Sequence, residues 1–386
     1  MSAGSRTAIV GVGHSDYSRR EPRPVKQIIV EAALAAIADA GLEVADIDGI
    51  VSEASMMPMM APVDSVAAHL GMAERPYSAY SMIGGAGNVW AAKMADTAIR
   101  AGLASTVLVY FGQTYGSDPG GPYSFHKEDP FRAGVEMPVG WYGPPIYFAG
   151  MAQRYKHDYG LAPEQLGAVA VAAREHARLT PGAVRQQEMT IESYLASPMI
   201  ADPLRLFDCC LNIDGAAAFV VTALERARDL RHPPAVIAGA AAATSPKAMT
   251  SYYTQADPYI TTPASRSGPA ALADAGLGVE DVDFAEVYDC FTISTILQLE
   301  DVGFCGKGEG AAFVEGGRIG PGGALPVNTH GGLLSHSYVV GTHHIVEAVE
   351  QLRGTRGAAQ VPRAEVGLVA GLGYPDHSTL VMTRDR

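Results

Sequence analysis

The sequence predicts an α/β protein made of two copies of one half-domain, and three observations carry that prediction. Residues 36–48 read AIADAGLEVADID and residues 271–283 read ALADAGLGVEDVD, nine identities in thirteen at an offset of 235. A spacing that long exceeds the period of a solenoid unit and suits a duplicated half-domain. Short β-rich runs alternate with alanine-rich helical patterns in both halves, as a sheet with helices on its faces requires. Each half also carries a glycine-rich turn that feeds a helix.

The elements follow in order. Strands are expected at 8–12, 50–52, 106–110, 219–222, 236–240, 285–287 and 366–369, where β-branched and alanine residues cluster. In each copy of the repeat an alanine-rich helix ends at a glycine in the C′ position, Gly41 or Gly276, and an acidic turn leads into a strand. The turn at 83–87 (IGGAG) opens a helix over 88–101 whose face of Ala91, Ala95 and Ala98 permits close packing, stopped by Gly102. In the second half the segment 331–341 precedes a stripe of Ile345, Ala348, Val349 and Leu352 that ends at Gly354. The halves divide near 230–234, giving units of 1–230 and 231–386. Residues of about 115–201 form an irregular insertion over the core, with a helix starting at Pro163 and an aromatic group of Tyr123, Phe125, Phe131, Trp141, Tyr142, Tyr147 and Phe148.

Composition narrows the function. The chain has 386 residues, 41 acidic against 28 basic side chains, a net charge of -13 and 48% hydrophobic residues. With no basic block, a nucleic-acid backbone is excluded as the main ligand. No uncharged apolar run approaches a membrane span, and the first twenty residues lack a signal or transit pattern, so a soluble, cytoplasmic protein is expected. Cys209, Cys210, Cys290 and Cys305 form no CxxC pair and read as small buried hydrophobes.

Between positions 319 and 346 there is no Asp, Glu, Lys or Arg, yet four histidines (His330, His336, His343, His344), Tyr338 and six glycines occur there. A charge-free, glycine-rich segment bearing titratable groups marks either a site or a tight interface. The histidine spacing matches no HExxH or other metal pattern, so no metal is expected. Ser335 sits in no GxSxG elbow, and the Gly84–Gly87 turn is not a phosphate-binding GxxxxGK[ST] loop.

Four stretches carry a resemblance: AIVGVGHSDYSRR at the start, MIADPLRLFDCCLNIDGAAA at 199–218, EVYDCF at 286–291 and NTHGGLLSHSYVVG at 328–341. Together and in this order they resemble the thiolase superfamily, in its sterol-carrier-protein-type branch, from end to end. The resemblance implies a five-layer αβαβα fold of two pseudo-symmetric halves with a loop-domain insertion, a homodimer, and acyl-CoA thioester substrates.

The departures define the chemistry. A thiolase needs a nucleophilic cysteine, an activating histidine and a second acid/base cysteine. The nucleophile belongs in the turn near Gly85, but no cysteine precedes Cys209. The histidine of the family's GHPxG segment aligns with Tyr338, that of its HDCF motif with Tyr288, and the second cysteine with about Ala370. Without an acyl-enzyme, a Claisen condensation is excluded. The YDCF and SYxxG pattern instead resembles the lipid-transfer-protein-type aldolases of bacterial steroid side-chain degradation. These cleave a β-hydroxyacyl-CoA, such as a 17-hydroxy steroid side-chain thioester, to a ketone and a short acyl-CoA such as propionyl-CoA. They do so in a heterotetramer with an OB-fold and zinc-ribbon partner, with CoA entering only as part of the substrate and no other cofactor.

Retro-aldol cleavage needs a base and an enolate site but no covalent intermediate. Tyr288 and Tyr338 are the expected catalytic pair, with Tyr338 as base and Tyr288 as donor, or the reverse. The resemblance adds Gly85 and Gly371 as backbone donors to the thioester oxygen. His330 and His336 are near in sequence and could polarise a phenol, or sit as neutral buried imidazoles that satisfy backbone groups, and Asp289 and Gly332 complete the substrate-binding or supporting set. Met56, Met57, Met59 and Met60 and the aromatics around Trp141 suit a sterol body or an interface. The alternatives are a catalytically inactive, acyl-CoA-binding or scaffold subunit and another CoA-ester enzyme.

Overall fold

The computed structural model describes residues 6–53, 61–72, 74–82, 84–118, 130, 132–245, 259–373 and 375–385. The methionines at 56, 57, 59 and 60, Ile83 and the aromatics Tyr123, Phe125 and Phe131 lie outside them.

Eleven strands are described: β1 (Thr7–His14), β2 (Gly49–Glu53), β3 (Tyr77–Ser81), β4 (Thr106–Thr114), β5 (Met199–Ala201), β6 (Leu204–Arg205), β7 (Asp214–Ala223), β8 (Ala235–Thr244), β9 (Phe284–Val287), β10 (Val366–Gly373) and β11 (Asp376–Arg384). Nine form one mixed sheet in the order β3-β2-β4-β7-β1-β8-β11-β10-β9, while β5 and β6 pair as a small hairpin. The larger helices are α1 (Val25–Asp39), α2 (Val63–Leu70), α3 (Gly84–Arg100), α4 (Pro144–Tyr159), α5 (Pro163–Arg178), α6 (Ala264–Ala275), α7 (Thr292–Val302) and α8 (Thr342–Arg353).

Outward from the centre, β1-β7-β4-β2 and β8-β11-β10-β9 repeat one pattern: two antiparallel pairings, then a parallel one. The two patterns meet at Ala8↔Val236 and Ile9↔Ala235. β3, at the far edge of the first half, has no counterpart among the described strands. Helix α1 covers β1, β7 and β4, and α6 covers β8 and β11 in the same way. Helices α3 and α8 each contact strands of both halves, which makes them the middle layer of the five.

The repeated sequence is explained by what its residues do. An added Cβ at Gly11 of β1 would lie 2.1 Å from Ala36 O, and one at Gly239 of β8 would lie 2.3 Å from Ala271 O, so only glycine lets each helix lie this close to its strand. Asp39 and Asp274 accept a backbone N–H of the neighbouring strand, from Val12 and Ala240. Asp48 takes the N–H groups of Ser105 and Thr106, and Asp283 those of Glu365 and Val366, tying the start of each parallel strand to its neighbour. Gly41 and Gly276 hold φ of +71° and +70° at the helix ends. Nothing lies within 4 Å of an added Cβ at Gly276. Gly276→Ala therefore isolates the left-handed backbone cost, and chemical denaturation is expected to show a loss of about 1–2 kcal/mol.

The structure adjusts the sequence expectations in three places. The glycine turn of the first half is itself the first turn of α3, which starts at Gly84. Four strands went unread: β3, β5, β6 and β11. β11 opens with polar residues, His377, Ser378 and Thr379, that are fully buried, with His377 Nδ1 2.7 Å from Ser267 Oγ. Within the insertion, Tyr147 and Phe148 are core residues and not a free surface: Phe148 stacks on Phe291 at 4.6 Å, while Trp141 and Tyr142 stay half-buried.

Candidate active site

The glycine turn of the first half, the segment 286–291 and the segment 331–341 converge, together with Gly371 of β10. β9 ends at Val287, and the chain then turns sharply into α7. In that turn Tyr288 N–H donates to Ala370 O of β10 at 3.0 Å, and Ser294 Oγ and Gln298 Nε2 donate to Tyr288 O. Tyr338 enters from the segment before α8. First-half residues hold this segment: Gln113 Nε2 of β4 donates to Tyr338 O at 2.6 Å, and Asn88 Nδ2 of α3 to Val340 O at 3.0 Å. Val340 has φ of +49°, unusual for a β-branched residue, so these contacts hold a costly backbone in place.

The outcome is a pair of phenols, Tyr288 Oη and Tyr338 Oη, 3.1 Å apart. Burial is the main cause that pushes both pKa values well above the usual tyrosine value. Both groups are therefore neutral phenols in the resting site. The Tyr115 ring lies 6.1 Å from that of Tyr338.

Gly85 and Gly371 are part of the same assembly. A Cβ at Gly85 would come within 2.3 Å of the Tyr288 ring, and one at Gly371 within 2.1 Å of Gly85 O. The Tyr288 ring thus occupies the space that any side chain at position 85 needs. A nucleophilic cysteine there and this tyrosine exclude one another.

Asp289 has a supporting place. Its carboxylate accepts Leu333 N–H at 2.8 Å and Leu334 N–H at 3.3 Å, and His344 Nε2 lies 3.4 Å away. Gly332 makes this possible, since a Cβ there would sit 2.0 Å from Asp289 Oδ2. Burial acts to lower the His344 pKa, but Asp289 and Glu286 outweigh it and leave it raised.

His330 and His336 are placed differently. Neither imidazole hydrogen-bonds to the phenol pair. They join His343 in a buried cluster, with ring centroids 5.0 Å apart for 330–336 and 4.4 Å for 336–343. His336 Nδ1 meets Ser337 Oγ at 2.9 Å, and His343 Nδ1 meets Tyr17 Oη at 2.7 Å. His330 Nδ1 lies 3.1 Å from Glu286 Oε2 but off the angle of a hydrogen bond. Burial keeps all three imidazoles neutral, with pKa values well below the usual one. Their linear spacing showed no metal pattern, yet one ring nitrogen from each lies within 4.8 Å of the others, a donor set that could hold a metal ion. Glu286, His330 and His344 converge in the same manner.

The family is visible in comparisons too. Residues 245–384 match the model of the thiolase C-terminal domain-like family. The steroid side-chain-cleaving aldolase of Thermomonospora curvata is 37% identical over 391 residues, covering 98% of each chain. The 17-hydroxy-3-oxo-4-pregnene-20-carboxyl-CoA lyase of Mycobacterium tuberculosis is 38% identical, covering 96% of this chain and 97% of its own. The chain belongs to the aldolases of the thiolase superfamily. Among solved structures, the Ltp2-ChsH2(DUF35) aldolase superposes with a TM-score of 0.90 at 36% identity, over 99% of this chain and 98% of that one. As an aldolase of thiolase fold, the protein is a carbon–carbon lyase.

The aldolase keeps its thiols inert. Burial pushes Cys209 and Cys305 up to about 12 and raises Cys210 and Cys290 well above the usual thiol value. Iodoacetamide treatment at neutral pH is expected to leave turnover intact, and a rapid loss of activity with label on Cys290 would contradict this. No helix among the described residues of the aldolase is long and apolar enough to cross a membrane.

Four residues near the site were not foreseen: Glu53, Asn88, Gln113 and Tyr115. A carboxylate closing an apolar parallel strand, GIVSE at 49–53, was the available signal for Glu53, since ligands of α/β sheets gather at the carboxyl ends of strands.

Proposed function

We propose that this protein cleaves a β-hydroxyacyl-CoA by a retro-aldol reaction, with a 17-hydroxy steroid side-chain thioester as substrate and a ketone plus a short acyl-CoA such as propionyl-CoA as products. The observation that carries this reading is the tyrosine pair, with its oxygens 3.1 Å apart. The names of the two curated relatives, a steroid side-chain-cleaving aldolase and a steroid carboxyl-CoA lyase, support the substrate class.

The chemistry runs without a covalent intermediate. The β-hydroxyl loses its proton, the Cα–Cβ bond breaks, and its electron pair moves onto the thioester as an enolate. One phenol of the pair donates a hydrogen bond to the developing enolate, and the other delivers the proton to the α-carbon. Backbone N–H groups at Gly85 and Gly371 serve the thioester oxygen. Ionising an ordinary phenol at neutral pH costs about 4 kcal/mol, and burial here raises that cost. Donation is therefore the tyrosines' part, and the hydroxyl proton goes to a separate acceptor.

The protein works as a homodimer joined to an OB-fold, zinc-ribbon partner, a reading supported by the Ltp2-ChsH2(DUF35) neighbour. CoA enters as part of the substrate. The test is mass spectrometry of a reaction between the co-purified complex and 17-hydroxy-3-oxo-4-pregnene-20-carboxyl-CoA. A 17-ketone with propionyl-CoA is the expected result. Unchanged substrate that co-elutes with the protein would instead mark a binding subunit.

A further inference from the structure

We propose that Glu53 is the general base of the cleavage, the group that takes the β-hydroxyl proton while the two tyrosines donate. This rests on the retro-aldol reading and deepens it. Glu53 closes β2 and is 4% exposed. Its Oε1 accepts the N–H of Gly84, the first residue of α3, and the next residue is Gly85, against which the Tyr288 ring lies. Its Cγ is 3.1 Å from where a Cβ on Gly87 would stand, so the carboxyl lies along the first turn of α3. Tyr115, the residue after β4, is a neighbour as well. Its phenol feels the charge of Glu53, and its ring faces that of Tyr338. Glu53 therefore comes from the first half to the same junction that the tyrosine pair reaches from the second.

Two further observations separate a base from a cap. Glu53 Oε2 is buried and has no hydrogen-bond partner among the described residues, leaving one oxygen available to a substrate hydroxyl. Burial pushes the carboxyl up to about 7, against the opposing hydrogen bond from Gly84 N–H. A base poised near the working pH is the most effective kind. A phenol pushed far above it is not.

The step balances. The Glu53 carboxylate takes the hydroxyl proton as the C–O bond becomes a carbonyl and the Cα–Cβ pair moves to the thioester enolate. A tyrosine gives its proton to the α-carbon, and the proton on Glu53 passes to the resulting phenolate, restoring both groups. In net terms the hydroxyl proton ends on the α-carbon.

Glu53→Gln tests this in the complex with its co-purified partner, because the amide oxygen still accepts Gly84 N–H but cannot act as a base. With 17-hydroxy-3-oxo-4-pregnene-20-carboxyl-CoA as probe, kcat is expected to fall by about 10²- to 10⁴-fold with KM little changed. In the wild type, kcat/KM rises as the carboxyl ionises through about pH 7, and that rise is expected to vanish in the variant. Glu53→Asp keeps a carboxylate and should retain an acid limb at a displaced pH. If Glu53→Gln does not fold, this limb decides, and a limb that has not moved overturns the assignment. Wild-type turnover in Glu53→Gln with an unchanged pH profile overturns it as well and leaves a helix cap. Absence of product from the wild type overturns the retro-aldol reading itself, and the role of Glu53 with it.

Discussion

Tyr338→Phe is expected to lower kcat for cleavage of the steroid CoA thioester by about 10²- to 10⁴-fold, the range that a positioned proton donor supplies. The change removes one oxygen from a ring that otherwise stays where it is. Tyr338 is held through its backbone, by Gln113 at its carbonyl and by Asn88 at Val340, so the fold and the position of residue 338 should survive. Tyr288 then loses its hydrogen-bond partner at 3.1 Å. Binding of the CoA ester, measured by calorimetry, is expected to stay near wild type, which separates a chemical role from a structural one. Undiminished turnover in the variant would remove Tyr338 from the mechanism.

Gly85→Ala should be nearly as damaging, for a steric reason. The new methyl group would stand 2.3 Å from Tyr288 Cδ2, 2.4 Å from Cε2 and 2.8 Å from Leu372 O. Tyr288 is 6% exposed, and its main chain is pinned by Ala370, Ser294 and Gln298, so the ring can relieve the clash only by turning away from Tyr338. Overpacking of this kind costs about 1–3 kcal/mol of stability, and loss of the phenol pair is expected to take turnover down with it. For the same reason Gly85→Cys should yield no thiolase: the sulfur would occupy space the tyrosine holds. A thermal melt and product analysis check both variants, and a Gly85→Ala protein with wild-type turnover would show that the pair tolerates displacement.

Much of the fold could be read directly. The repeat at 36–48 and 271–283 encodes helix ends, strand ties and a close helix–strand approach, all contacts set by residues within one α/β unit, so the chain spells them out twice. The missing first-half cysteine is equally plain in the sequence, and it is the residue on which a thiolase builds its acyl-enzyme. The edge strand β3, YSAYS, escaped because it carries little apolar signal, β5 and β6 because they are 3 and 2 residues long, and the polar start of β11 because its residues are satisfied by distant partners, His377 by Ser267.

What the chain by itself determined, then, is the duplicated architecture, the lack of a cysteine before Cys209 and the candidacy of Tyr288 and Tyr338. The tertiary structure decided the rest. It set Tyr288 and Tyr338, fifty residues apart in the chain, in contact. It turned His330 and His336 away from them into a neutral cluster with His343, and it carried Glu53 from the first half to the junction where Tyr288 stands. Which residue gives a proton and which takes one depends on burial and on the charges nearby. Both are sums over side chains from many parts of the sequence, and they exist only once the two halves have packed together.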